Sequence, residues 1–274
     1  MRPDPHASDP SDTDGASARD EERRAVGDLV ARLTVRDADD PATRGERARD
    51  LGRLTTALAA SARTAGRASV LGGSWLVDLL LDVAPRLPFR DAATLRAQHP
   101  GVSDADLAQS LISGAAKATA AVGAAGGALA AVEFAAPPML LTAPAQLAAE
   151  TLLVAAVEVK LIAELHELHG MRASGPLRGR AIAYVVAWSE RRGVDPLSPS
   201  LLKFSLGSSA KRTLRNRLIR RAGRNLSTLG PLMSGAVAGS VVNHRETRRL
   251  GEQMRDDLQG IRARRTVQGQ TVRI

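Results

Sequence analysis

The sequence predicts an all-α protein: a multi-helix bundle with long central helices, one Ala/Gly-rich and one amphipathic, behind a disordered leader. Three observations carry that expectation. Apolar residues recur at three- and four-residue spacing between clear start and stop signals. No run alternates with the period of two that a half-buried strand needs. Only six aromatics occur in 274 residues (Trp75, Phe89, Phe134, Tyr184, Trp188, Phe204). The core must then be built from Ala, Leu and Val, which suits close-packed helices better than sheets.

Each element has its own signal. Residues 1–24 are polar and acidic with scattered prolines, a composition that reads as a disordered leader and lacks the basic start and apolar stretch of a signal peptide. Arg19 to Val35 reads as a short amphipathic helix, and Ala42 to Thr64 as a second with Leu51, Leu54 and Leu58 on one face. "SWLVDLLLDV" is a compact apolar helix stopped by Pro85 and Pro88. "RDAATLRAQHPG" adds a short helix. Ser103, followed by Asp104 and Asp106, caps a long helix that runs to Pro137-Pro138. Thr142-Ala143-Pro144 opens the next, which Gly170 ends. "LRGRAIAYVVAWSERRG" is a further helix, Ser198-Pro199 opens a short one, and "SSAKRTLRNRLIRRAGRNL" (208–226) is a basic amphipathic helix. Gly230-Pro231 starts the last long helix, expected to reach Leu258. This divides the chain into a leader (1–24), a helical domain (42–258) and a frayed basic tail (260–274).

The stretch from Ala118 to Val132 holds fifteen uncharged residues, or about 22 Å of helix at ~1.5 Å per residue. A bilayer core of ~30 Å asks for roughly 20 apolar residues, and extension brings in Glu133. The weakly apolar Ala and Gly cannot offset that carboxylate on an insertion scale. The expected use of the segment is core packing. Gly123 and Gly127, and likewise Gly235 and Gly239, are spaced to let helix backbones approach closely. In the following helix Gln146, Glu150, Lys160, Glu164 and Glu167 fall on one face and predict an amphipathic helix.

Charge is unevenly placed. From Met171 onward there are twenty-one Lys+Arg against six Asp+Glu, a net of +15, whereas the first 170 residues carry a net of −6. The basic residues comprise thirty-four Arg and four Lys, a bias typical of GC-rich coding, so their position says more than their number. Lys211, Arg212, Arg215, Arg217, Arg220, Arg221 and Arg224 surround an apolar stripe and are the candidate anionic-surface-binding residues. The expected partner is an anionic membrane surface or an acidic protein. Nucleic acid is the alternative, weakened by the shortage of aromatics and of any recognition signature.

Chemistry is sparse. The absence of cysteine excludes disulfides and thiolate metal sites. "ELHELHG" (164–170) carries neither His-Glu-x-x-His nor Glu-x-x-His spacing, so His166 and His169 read as a polar helix end. Glu158 lies off the polar stripe. With Glu133 it forms a candidate buried polar site, expected to be paired to arginine or, on the enzymatic alternative, to share a cavity with His166 or a metal. There is no phosphate loop, nucleophile elbow or catalytic triad. The expectation is therefore a non-enzymatic protein without cofactor or metal.

The order of pieces from about 105 to 258 resembles the EcsC family. The Ala/Gly block is followed by "LIAELHELHG", then "RGRAIAYVVAWS", then a basic segment with "LGPLMSGAVAGSVVNHRETRRLG". His169-Gly170 stands where the family pattern suggests Tyr-Gly. The resemblance implies a helical protein of undefined activity at the cytoplasmic face of the membrane, linked to a transport or secretion system, and supplies no catalytic residues.

Overall fold

A computed structural model describes residues 10–35, 44–65, 74–135, 143–191 and 234–271. Among these residues there is no strand. The eight α-helices are α1 (Pro10–Val35), α2 (Arg44–Ala65), α3 (Ser74–Val83), α4 (Ala92–Gln98), α5 (Asp104–Ala135), α6 (Ala143–Leu168), α7 (Leu177–Arg191) and α8 (Ser234–Thr271), with a 3-10 turn at Ala84–Arg86. The basic segment 208–226 and the cap at Ser198-Pro199 lie outside the described residues.

Helix α6 is the axle of the molecule: it touches each of the seven other helices. Leu152 to Val157, together with Val159, Leu161, Ile162 and Leu165, are buried on successive turns and on all sides. The expected amphipathic helix is therefore corrected. Its polar stripe does not face water: Gln146 and Glu164 are buried and Lys160 nearly so. A helix apolar over most of its circumference belongs inside a fold, and the stripe survives there because partners have been built for it.

The N-terminal layer is short-range in sequence. α1 packs on α2 and α3 through Val26, Leu29, Val30 and Leu33, and α2 answers with Leu51, Leu54 and Leu58. Trp75 Nε1 donates to Ser61 Oγ at 3.0 Å, and Arg23 reaches Asp82 at 2.6 Å. Helix α1 begins at Pro10, so the leader is helical well before residue 24. Pro10 occupies the first helical position, where its missing N–H is no loss.

Local signals set the joints. Ser103 Oγ accepts from Asp106 N at 3.2 Å and donates to its carboxylate at 2.7 Å, an N-terminal cap for α5. At the end of α6, Gly170 sits at φ +69°. Its N–H donates to Glu167 O (3.1 Å) and Met171 N–H to His166 O (2.8 Å), the paired bonds of a Schellman motif.

The most extensive pairing is between α5 and α8, which run antiparallel. Ile112 meets Gly251, Thr119 meets Asn243 and Thr247, and Gly123 meets Gly239. The backbones touch at the last point. A Cβ on Gly123 would lie 2.8 Å from both the carbonyl carbon and the oxygen of Gly239 and 2.9 Å from Asn243 Nδ2. Gly127 and Gly235 belong to the same two helices, but their surroundings lie outside the described side chains. Buried side chains of α8 stop at Leu258 among the described residues, yet the helix continues to Thr271. The tail expected to fray from Gly260 is thus helical, carried by the good propensity of its Arg and Gln residues.

The glycines make a graded test. Gly123→Ala should destabilise by about 1–3 kcal/mol through backbone overpacking. Gly239→Ala, whose Cβ would meet Gly123 O at 3.6 Å, should be near neutral. Gly114→Ala, with open space around its Cβ, should stabilise by roughly 0.5–1 kcal/mol. Denaturant melts that gave Gly123 and Gly114 the same sign would contradict this packing.

Candidate functional site

Three polar assemblies surround α6. The first is fully internal. Glu158 has no exposed surface. Its Oε2 accepts from Trp188 Nε1 of α7 at 2.8 Å, and its Oε1 from Thr247 Oγ1 of α8 at 2.7 Å. Thr247 lies 2.9 Å from the Thr119 hydroxyl of α5, and Asn243 Nδ2 donates to Thr119 O at 3.3 Å. One carboxylate thereby ties four helices together. Two neutral donors, Trp188 and Thr247, each take one of its oxygens. Glu133 lies on α5, but its side chain is outside the described residues.

The second assembly holds Glu164. Arg90, in the segment before α4, forks onto it with Nε on Oε1 (2.8 Å) and Nη2 on Oε2 (2.9 Å), and Lys160 pairs with the same carboxylate. Bidentate guanidinium–carboxylate geometry is the strongest arrangement available to such a pair. The Glu164 bond raises the Arg90 pKa, while burial is the main reason the Lys160 pKa is lowered. Arg90 spends its remaining group on Gln98 Oε1 at 3.0 Å.

The third is a surface cleft of about 220 Å³ where the start of α4, the end of α6 and α7 converge. Phe89 and Tyr184 meet edge to face at 5.8 Å and form its aromatic wall. Arg172 Nε and Arg180 Nη1 approach one oxygen, Glu167 Oε1, at 3.2 and 3.7 Å. Arg180 Nε is buried and has no hydrogen-bond partner among the described residues. The Tyr184 hydroxyl accepts from Ala173 N at 3.2 Å. Burial, first of several causes, raises its pKa.

His166 takes no part in the Glu158 network. Its Nδ1 is 2.7 Å from Ile162 O and its ring lies 5.5 Å from that of Tyr184. His169 Nδ1 is likewise 2.8 Å from Leu165 O. Among the described residues no group of three or more His, Asp or Glu is placed to hold a metal ion. Nor is any described helix long and apolar enough to cross a membrane.

Of the residues singled out by sequence, Glu158, Gly123 and Gly239 lie within one stretch of the α5–α8 seam and its neighbours. Lys211, Arg212, Arg215, Arg217, Arg220, Arg221 and Arg224 lie outside the described residues. Sequence reasoning missed Arg90, Arg172, Arg180 and Thr119. Their partners are remote in sequence or across a turn, and only the acid–base spacing of Lys160 and Glu164 gave a local hint. The chain matches no family model, no curated protein and no solved structure.

Two tests follow from this geometry. Glu158→Ala orphans the buried Trp188 and Thr247 donors and should cost about 1–3 kcal/mol for each. Adding Thr247→Val should recover part of the loss, and equal stability of Glu158→Ala and wild type would remove the network's structural role. Burial, ahead of the nearby charges of Arg191 and His169, lowers the His166 pKa. The unfolded chain therefore binds the extra proton first as pH falls through about 6.5, so stability drops with acid by up to ~1.4 kcal/mol per pH unit for this group. His166→Gln should flatten that slope in urea melts between neutral and mildly acidic pH.

Proposed function

We propose that this chain is a non-enzymatic, EcsC-like helical protein that docks on the anionic cytoplasmic face of a membrane. The observation that carries the reading is the outward face of α8. Val241 and Val242 are 44% and 46% exposed, among the few large aliphatic side chains left in solvent in the described residues. Arg245, Arg248 and Arg249 are exposed along the same stripe, one or two turns on. Aliphatic side chains flanked by arginines suit the interfacial zone, where the hydrocarbon is buried shallowly and the guanidinium groups meet lipid phosphates.

Two further facts support it. The chain beyond Met171 carries a net +15, and the basic amphipathic segment with Lys211 to Arg224 ends only a few residues before α8 begins. Among the described residues no helix is long and apolar enough to cross a membrane, and clustered cations of this kind favour docking at an anionic surface. A role in binding nucleic acid draws on the same cations, but the chain has only six aromatics with which to stack on bases.

Vesicle co-sedimentation tests the proposal. Binding should rise steeply from neutral to anionic vesicles and fall with salt. Arg245→Gln/Arg248→Gln/Arg249→Gln should weaken it on the order of 100-fold, at about 1 kcal/mol per basic residue. Equal binding to neutral and anionic vesicles would sink the reading. Salt-sensitive retention of a duplex oligonucleotide without vesicle binding would favour nucleic acid instead.

A further inference from the structure

The cleft beside Tyr184 carries more hydrogen-bond donors than its own residues use. We infer that it is a binding site for a small phosphate group, with Arg172 and Arg180 as the clamp, the Tyr184 hydroxyl as a third donor and Glu167 as the internal competitor.

The argument is one of donor supply. A guanidinium offers five N–H groups in a planar fork and no acceptor. Arg172 and Arg180 direct two such forks at a single oxygen, Glu167 Oε1. The Arg180 contact of 3.7 Å is beyond hydrogen-bonding range. Its Nε–H is unpartnered among the described residues, and only 16% of the side chain is exposed. A largely buried cation held by one long ion pair is an expensive arrangement unless a further acceptor serves it. Tyr184 accepts one hydrogen bond and keeps its own proton to give.

The nearby groups are already committed. Arg90 gives one N–H from each of its three nitrogens to Glu164 and Gln98. Asp91 accepts from Thr94 N as the cap of α4, but it also lines the cleft and feels the charge of Arg172, so it is a second carboxylate a ligand must compete with. Arg172 and Arg180 hold most of the donors left over in the cleft. A tetrahedral oxyanion supplies several acceptor oxygens at once, and bidentate arginine contacts fit phosphate well. Size narrows the choice further. The cleft, about 220 Å³, falls below the ~300–1,000 Å³ of sites that enclose drug-sized ligands. It takes the phosphate itself and little of what the phosphate is attached to. Leu177, half exposed at the rim, gives an apolar lip for the first carbons of an ester.

This site is separate from the outward face of α8, and binding there can be measured without vesicles. Inorganic phosphate and glycerol 3-phosphate are titrated into the full chain by calorimetry at constant ionic strength, with chloride and sulfate as references. Binding with a Kd on the order of 1 mM is expected, at least tenfold weaker in Arg180→Gln. Glu167→Gln removes the competing charge and should bind phosphate more tightly than wild type. Arg172→Gln provides a second, surface substitution should Arg180→Gln fold poorly, and it should also lower affinity. Vesicles carrying phosphatidic acid, compared with phosphatidylserine at matched charge, separate the sources. A preference lost in Arg172→Gln points to a lipid phosphomonoester, whereas solution binding without that preference points to a soluble one. Equal heats for phosphate and chloride, or unchanged affinity in both arginine variants, would overturn the inference.

Discussion

A helix surrounded on every side must have each of its polar groups answered from within the fold, and that requirement on α6 organises the rest. Glu158 and Glu164 point in different directions from one axle. The first draws in Trp188, Thr247 and, through it, Thr119. The second fixes Arg90 and with it the chain ahead of α4. Buried polar groups that lack partners cost several kcal/mol, so the positions of α4, α7 and α8 are set by hydrogen-bond geometry as well as by apolar contact. Aliphatic packing alone, with so many Ala and Val residues of similar shape, would tolerate many slips of register. The two carboxylates each accept one.

The α5–α8 seam shows the complementary constraint. Gly123 allows backbone to approach backbone, and that approach brings Asn243 and Thr247 within reach of Thr119. Close approach and polar pairing depend on one another. A methyl group at Gly123 would widen the gap and lengthen the hydrogen bonds beyond it.

Fold class was legible because periodicity and caps are local. Ser103, the Pro137-Pro138 break and Gly170 are each readable within a few residues, and α5 and α6 begin and end close to where those signals put them. The ends were harder. Polar composition at 1–24 and beyond Gly260 suggested disorder, but helix propensity extended α1 and α8 through much of it. The burial of α6 was misjudged for a different reason. Spacing shows that Lys160, Glu164 and Glu167 share a face but cannot show that Arg90, Arg172 and Arg180 come to meet it. The candidate site was visible only as an unusual acid: Glu158 stands out on an apolar face, while its partners Trp188 and Thr247 lie thirty and eighty-nine residues away.

The seam between α5 and α8 also fixes the order in which the molecule can be made. Thr119 and Asn243 are separated by 124 residues, and helices α6 and α7 lie between them in the chain. During synthesis, at roughly 5–20 residues per second, the Gly123 face of α5 and the Glu158 carboxylate leave the ribosome many seconds before α8 arrives to cover them. Closure of so long a loop is slow. The nascent chain therefore presents an alanine-rich groove over an acid that still lacks its Thr247 bond, and the C-terminal helix is the element that ends that exposure.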